Sequence, residues 1–174
     1  MLAALGLTGC GSVAELPPPV GSVPGAARAG AFSVAGDRLV RADGASAATG
    51  RDPTAVALVD RGRAVAVLSG RERMLELYDA RSLRRLGRAS AGIGPVGLTT
   101  DGVELLYVTD SKGDAMLVYH LRPRFELIRR VHVSGRPYAI AYSSADWALR
   151  ITRADGSVVE YAAGSRPVPR TPPR

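Results

Sequence analysis

The sequence predicts an all-β chain built from small antiparallel sheets repeated in tandem, and three observations lead there. Pro53-Thr54-Ala55-Val56-Ala57-Leu58, Pro95-Val96-Gly97-Leu98-Thr99-Thr100 and Pro137-Tyr138-Ala139-Ile140-Ala141-Tyr142 align without gaps at a spacing of 42 residues. The same offset places Met74-Leu75 on Met116-Leu117 and Val158-Val159, and Leu77 on Tyr119 and Tyr161. Each copy also divides into short apolar runs bounded by turn residues, the pattern of strands joined by tight connections. A fixed period in this range marks a supersecondary unit that stacks on copies of itself.

Within the first full repeat, residues 53–94, the strand candidates are Thr54–Val59, Ala64–Leu68, Met74–Tyr78 and Leu83–Arg88. The turns Asp60-Arg61-Gly62, Ser69-Gly70-Arg71 and Asp79-Ala80-Arg81 separate them. Residues 95–136 supply Val96–Thr100, Leu105–Thr109, Met116–Tyr119 and Phe125–Val131. Residues 137–164 supply only Tyr138–Tyr142, Ala148–Thr152 and Val158–Tyr161, with the hairpin turn Ala154-Asp155-Gly156. The four prolines of 165–174 cannot donate to a strand ladder, so this segment is expected to be a disordered tail and the last unit incomplete. Upstream, Asp37–Gly50 echoes Arg81–Gly92 with a slip of two residues, which makes residues 31–52 part of a degenerate unit. Residues 11–30 contain Pro17-Pro18-Pro19 and Pro24 among glycines and alanines, a composition suited to an extended linker.

Four antiparallel strands in about 42 residues make one blade of a β-propeller. Leu106-Tyr107-Val108-Thr109-Asp110 on a second strand, and Gly92-Ile93-Gly94-Pro95 and Gly135-Arg136-Pro137 before first strands, resemble the motifs of YVTN-repeat β-propellers. The resemblance covers roughly residues 37 to 162 and implies an extracytoplasmic bacterial protein. The expected architecture is a partial propeller of about three blades, because propellers typically have four to eight. Such an open arc leaves apolar faces and strand edges uncovered, which suggests a truncated gene product, a ring completed by self-association through the open edges, or a curved stack.

At the N-terminus, Leu7-Thr8-Gly9-Cys10 resembles the lipobox of bacterial lipoproteins. The resemblance makes residues 1–10 a lipoprotein-type signal segment, Cys10 the lipidated residue, and the cell membrane the place of attachment, outside the cytoplasm. The apolar run before Cys10 is short and no Lys or Arg precedes it, so a small apolar N-terminus with a chance cysteine stands as the other reading. The single cysteine excludes an intrachain disulfide, and the two histidines leave little for a transition-metal site.

The chain is 46% hydrophobic and 22% charged, as expected of a folded protein, and its net charge of +7 is almost wholly arginine. GC-rich codon usage explains that bias as well as a polyanionic partner does. In an up-and-down meander, the segment leading into strand one and the turn between strands two and three lie at the same end. This gathers Arg51, Arg71, Lys112, Arg136 and Arg153 on one rim, where they could receive an anionic glycan, phosphate or carboxylate. Solvated loop charges are the plainer explanation. Asp110, Asp114 and Asp155 read as turn-capping residues rather than calcium ligands, since Lys112 opposes a cation there. His120 and His132 occupy unrelated repeat positions, so a His-centred triad is not expected. Arg84-Arg85 and Arg129-Arg130 fall on outer strands, where charge blocks edge-to-edge pairing, and lack the aromatic interleaving of a nucleic-acid surface. Trp147, Tyr107 and Tyr138 could stack on sugars, but Trp147 sits at the start of a second strand, where packing between blades is the ordinary explanation. Met74 and Met116 are assigned to equivalent packing positions.

The expectation is therefore a non-catalytic, lipid-anchored scaffold that binds a protein or an anionic envelope component, with no cofactor, metal or nucleic acid. The alternatives are a fragment of a propeller enzyme of the lyase or quinoprotein type, and a truncated product without independent function.

Overall fold

The computed structural model describes residues 28–170, which form four four-stranded antiparallel sheets. The first contains β1 (Arg28–Ala29), β2 (Phe32–Val34), β3 (Arg38–Arg41) and β4 (Ser46–Ala48). The second contains β5 (Pro53–Val59), β6 (Ala64–Ser69), β7 (Met74–Asp79) and β8 (Arg85–Ser90). The third contains β9 (Pro95–Thr100), β10 (Leu105–Asp110), β11 (Ala115–His120) and β12 (Glu126–His132). The fourth contains β13 (Pro137–Ser143), β14 (Ala148–Arg153), β15 (Val158–Ala162) and β16 (Val168–Arg170). Every sheet is a simple meander with strands in sequence order. The first strands of successive sheets adjoin one another, so they form the inner side of an arc that does not close.

Two boundaries differ from the sequence expectation. The partial unit of 31–52 is a whole, small sheet that begins at Arg28, inside the expected linker. The last unit is complete as well: Ala162, Tyr161 and Glu160 pair with Val168, Pro169 and Arg170. Pro169 is tolerated there because β16 is an edge strand. The arc thus has four blades rather than about three. Cys10, the signal segment and most of the linker lie outside the described residues.

Period-two alternation in the strands explains why the sheets stack. On β6, Val65 and Val67 point to the first sheet and pack with Phe32, Leu39 and Tyr78. Ala64, Ala66 and Leu68 point the other way, with Leu75 and Leu77, against Leu106, Val108, Leu117 and Tyr119 of the third sheet. The third sheet turns Leu105, Tyr107, Met116 and Val118 toward Ile140, Leu149, Ile151 and Tyr161 of the fourth. Close approach of the inner strands requires Gly97, where a Cβ would stand 2.7 Å from Thr109 Oγ1 and 3.3 Å from Ile140 Cγ2.

The strand pairings correct the constant 42-residue register. Val65 pairs with Tyr78, Leu106 with Tyr119, and Leu149 with Tyr161. Tyr78, not Leu77, is therefore the counterpart of Tyr119 and Tyr161, and Leu75, not Met74, is the counterpart of Met116. The spacing from second to third sheet drops to 41 on these strands because β5 has seven residues and β9 six, the connections that follow them being equally long. Correct alignment exposes a recurring contact. The hydroxyl of Tyr78 donates to Ala48 O at 2.8 Å, that of Tyr119 to Ser90 O at 2.5 Å, and that of Tyr161 to His132 O at 3.4 Å. Each acceptor is the last residue of the fourth strand of the preceding sheet. Burial raises the pKa of all three phenols, which keeps them protonated as donors.

The faces at the two ends of the arc are not the bare apolar surfaces expected of an open array. On the outward face of the fourth sheet, Arg150 and Glu160 replace the apolar pairs found inside; the Arg150 guanidinium binds Glu160 at 2.7 Å and Asp146 at 2.6 Å. On the outward face of the first sheet, Arg38 donates to Ser46 Oγ at 2.8 Å. Polar outer faces of this kind keep stacked repeats soluble.

Between the second and third sheets, Asp60 accepts from Arg63 at 2.9 Å and forms a short ion pair with Arg122. Burial pushes the Asp60 carboxyl upward, but the hydrogen bonds from Arg122 and Arg63 outweigh it and hold the group below the usual carboxylate range.

Two outcomes follow from these contacts. Tyr119→Phe, which removes the donor to Ser90 O, should lower the unfolding free energy in urea by about 1 kcal/mol, whereas Tyr138→Phe should change it by less than about 0.5 kcal/mol. The depressed Asp60 carboxyl adds stability that is fully present above about pH 4 and is lost as pH falls through the folded value. Thermal unfolding followed from pH 6 downward should therefore show a smaller acid loss for Asp60→Asn than for the wild type.

Candidate anion-binding rim

The loops that lead into the first strands and the turns between second and third strands do share one end. Gly70 N donates to Asp52 O at 3.3 Å, Ser111 N to Gly94 O at 2.8 Å, and Ala154 N to Arg136 O at 3.1 Å. Arg51 and Arg71 consequently lie together on the second sheet, Lys112 on the third, and Arg136 and Arg153 on the fourth. Two glycines let long stems lie against the loops. A Cβ on Gly94 would stand 2.6 Å from Lys112 Cγ, and one on Gly135 would stand 2.9 Å from Arg153 Cδ.

Arg51, Arg71, Lys112 and Arg136 are exposed, and Arg153 is half-buried with its Nε lacking a hydrogen-bond partner. Among the described residues, none of the five forms an ion pair. The rim is not uniformly cationic, for Asp37, Asp52, Glu72, Asp114 and Asp155 occupy the same loops. Three of these carboxylates are engaged locally. Asp37 accepts from Asp52 N at 3.0 Å, Asp114 from Arg136 N at 2.8 Å, and Asp155 from Ser157 N at 2.9 Å. Hydrogen bonds from the Ser157 hydroxyl and amide hold the Asp155 carboxyl below its ordinary range. Asp52 and Arg136 adopt left-handed backbone, with φ of 54° in each case, immediately before Pro53 and Pro137. Proline disfavours the right-handed helical region for the residue before it, and the acceptors on Asp37 and Asp114 fix the amides of this turn.

Asp110 caps its turn as expected, through Gly113 N, and also reaches the lead-in loop and the outer strand. It is fully buried at the end of β10, where it accepts from Gly94 N at 2.7 Å and Gly113 N at 3.1 Å, with Arg130 at 3.5 Å. Cβ atoms on Gly92 or Gly113 would collide with its carboxylate, so the glycines make room for the charge. A second buried carboxylate, Glu76, accepts from Gly50 N at 2.7 Å, the Tyr78 hydroxyl at 3.1 Å and Arg85 at 2.9 Å. Sequence reasoning missed Glu76 because an alternating strand reads Glu as a solvent-facing residue. The available sign was an arginine on the next strand, Arg85, whose side chain reaches Glu76 from β8. Both carboxylates pin a lead-in loop to the body of a blade, and both are saturated by protein donors.

The aromatic candidates separate. Tyr107 is fully buried, and its hydroxyl accepts from Gly164 N at 3.0 Å. Tyr138 is half exposed on β13. Trp147, expected on a strand and between blades, is 67% exposed in the β13–β14 turn with a left-handed φ of 54°. That turn lies at the end opposite the rim. His120 sits 3.5 Å from Glu104, and among the described residues no three His, Cys, Asp or Glu side chains converge as a metal site. The rim therefore offers guanidinium and ammonium donors for an anion.

No protein-family model matches the sequence, and no curated protein matches it. Solved structures do match the fold. A functionally unknown protein from Desulfotomaculum acetoxidans superposes with a TM-score of 0.68 at 12% identity, over 80% of this chain and 51% of that one. A putative 6-phosphogluconolactonase from Bacteroides uniformis gives 0.65 at 11% identity, over 79% and 49%. Hydrazine synthase of Kuenenia stuttgartiensis gives 0.59 at 16% identity, over 68% and 35%. The chain spans about a third to a half of the length of these proteins, and the likeness is one of fold: repeated blades of the β-propeller kind.

Proposed function

We propose that this protein is a non-catalytic binding scaffold of YVTN-repeat type, held outside the cytoplasm by lipid on Cys10, whose rim receives an anionic envelope component or an acidic face of a partner protein. The observation that carries the reading is the placement of Arg51, Arg71, Lys112, Arg136 and Arg153 at one end of three consecutive blades without ion-pair partners among the described residues. Unpaired guanidinium groups bind carboxylate, sulfate and phosphate through paired N–H donors, and their spread over several blades suits an extended polyanion. The Leu7-Thr8-Gly9-Cys10 sequence supports the anchor.

Polygalacturonate and dextran sulfate serve as probes of the rim. The wild type should bind one of them at low salt, more weakly as salt rises, and Arg71→Glu/Lys112→Glu/Arg136→Glu should bind it roughly tenfold or more weakly. Equal binding by the triple variant would place the contact elsewhere. For the anchor, cells fed radioactive palmitate should label the wild type and not Cys10→Ser; an unlabelled wild type removes the lipid anchor from the account.

A further inference from the structure

The end of the second strand, on the side that faces the preceding sheet, carries a different chemical group in each of the three long-stranded sheets. Pro53, Pro95 and Pro137 pair there with Ser69, Asp110 and Arg153. Alternation turns all three the same way. Ser69 continues the row of Val65 and Val67 toward the first sheet, Asp110 that of Leu106 and Val108 toward the second, and Arg153 that of Leu149 and Ile151 toward the third. Ser69 is uncharged, and the buried charge of its sheet is Glu76. Glu76 and Asp110 each have an arginine of their own sheet, Arg85 at 2.9 Å and Arg130 at 3.5 Å. In the fourth sheet the sign is reversed, and no carboxylate pairs with Arg153 among the described residues.

The Arg153 stem lies along Gly135, where a Cβ would stand 2.9 Å from Cδ, and its Nε is buried without a hydrogen-bond partner. Acids of the adjoining turns are engaged elsewhere. Asp114 accepts from Arg136 N at 2.8 Å, and Asp155 accepts from Ser157 N at 2.9 Å and from the Ser157 hydroxyl at 2.6 Å. A half-buried guanidinium loses water without gaining a counter-charge, a penalty that a bound anion removes. Two planar oxygens carrying one negative charge match its N–H donors, and Asp110 supplies that group one sheet earlier. Tyr138 adds an apolar plane. It is the extra residue between the pairs Pro137–Arg153 and Ala139–Thr152, and it is 49% exposed. Since Ala139 takes the outward face with Thr152, alternation puts Tyr138 on the face of Ile140 and Ile151, as it does Arg153. Exposed Arg136 joins them through the hydrogen bond from Ala154 N to its carbonyl at 3.1 Å.

We infer that Tyr138 and Arg153 form a uronate subsite within the rim, the pyranose ring lying on Tyr138 and its carboxylate paired with the Arg153 guanidinium. This rests on the reading of the rim as an anion receptor, and it narrows the ligand from any polyanion to a carboxylated sugar.

Trigalacturonate is the probe, titrated at low salt by calorimetry and by the nuclear magnetic resonance signal of the Arg153 Nε–H. Its methyl ester keeps the rings without the charge, and triglutamate keeps the charge without the rings. Trigalacturonate should bind saturably and about fivefold or more tightly than triglutamate, shifting the Arg153 signal, whereas the ester should not bind. Arg153→Lys, which keeps the charge and loses the planar fork, should weaken trigalacturonate roughly tenfold. Tyr138→Ala should weaken it about fivefold and leave triglutamate unchanged. Circular dichroism of each variant separates lost binding from lost fold. Absence of saturable trigalacturonate binding overturns the inference, as does binding that Arg153→Lys leaves intact. Equal affinity for triglutamate also overturns it and marks the ligand as an acidic peptide. The rim reading keeps its own test. If Arg71→Glu/Lys112→Glu/Arg136→Glu loses polyanion binding while Arg153→Lys binds trigalacturonate like the wild type, the rim stands and the uronate subsite falls.

Discussion

A four-stranded sheet of six-residue strands cannot keep both faces dry by itself, and this constraint governs the molecule. The third sheet shows how it is met. Leu106 and Val108 are buried against the second sheet while Leu105 and Tyr107, their neighbours in sequence, are buried against the fourth. Neither face would survive without its neighbour. The tyrosine hydroxyls add direction to this non-directional packing, since Tyr78, Tyr119 and Tyr161 each reach the final carbonyl of the preceding sheet. At the ends of the arc the demand is removed rather than met. Arg150 with Glu160, and Arg38 with Ser46, make the outward faces polar.

Much of this was legible in the sequence. Pro53, Pro95 and Pro137 open β5, β9 and β13 as the repeat required, and the central strands lie within a residue or two of their expected bounds. What escaped was what a fixed offset hides. One added residue at the end of β5 shifts β6 and β7 by a position, which matched Leu77 to Tyr119 and concealed the tyrosine series. The first sheet has strands of two to four residues, too short for periodicity to distinguish from loop. The last strand was lost because prolines were taken to exclude pairing, although an edge strand tolerates one whose ring faces away from the ladder.

The candidate sites were legible to different degrees. Topology alone puts Arg51, Arg71, Lys112, Arg136 and Arg153 at one end, because a meander fixes which loops share a side. The buried carboxylates were not legible, since whether Glu76 or Asp110 meets water depends on glycine positions across a sheet and on arginines reaching back from the outer strand. Trp147 is the sharpest lesson in burial: a large aromatic beside a strand implied packing, yet its turn conformation turns it to solvent.

Mutual dependence of the sheets is tested most directly by native-state hydrogen exchange at increasing denaturant. If each sheet is stable only through its neighbours, the slowest amides of β6 and β7 and those of β10 and β11 should share one opening free energy and one denaturant dependence, equal to global unfolding. Separate opening energies for the second and third sheets, each with its own smaller denaturant slope, would show that the blades stand alone and would contradict this account.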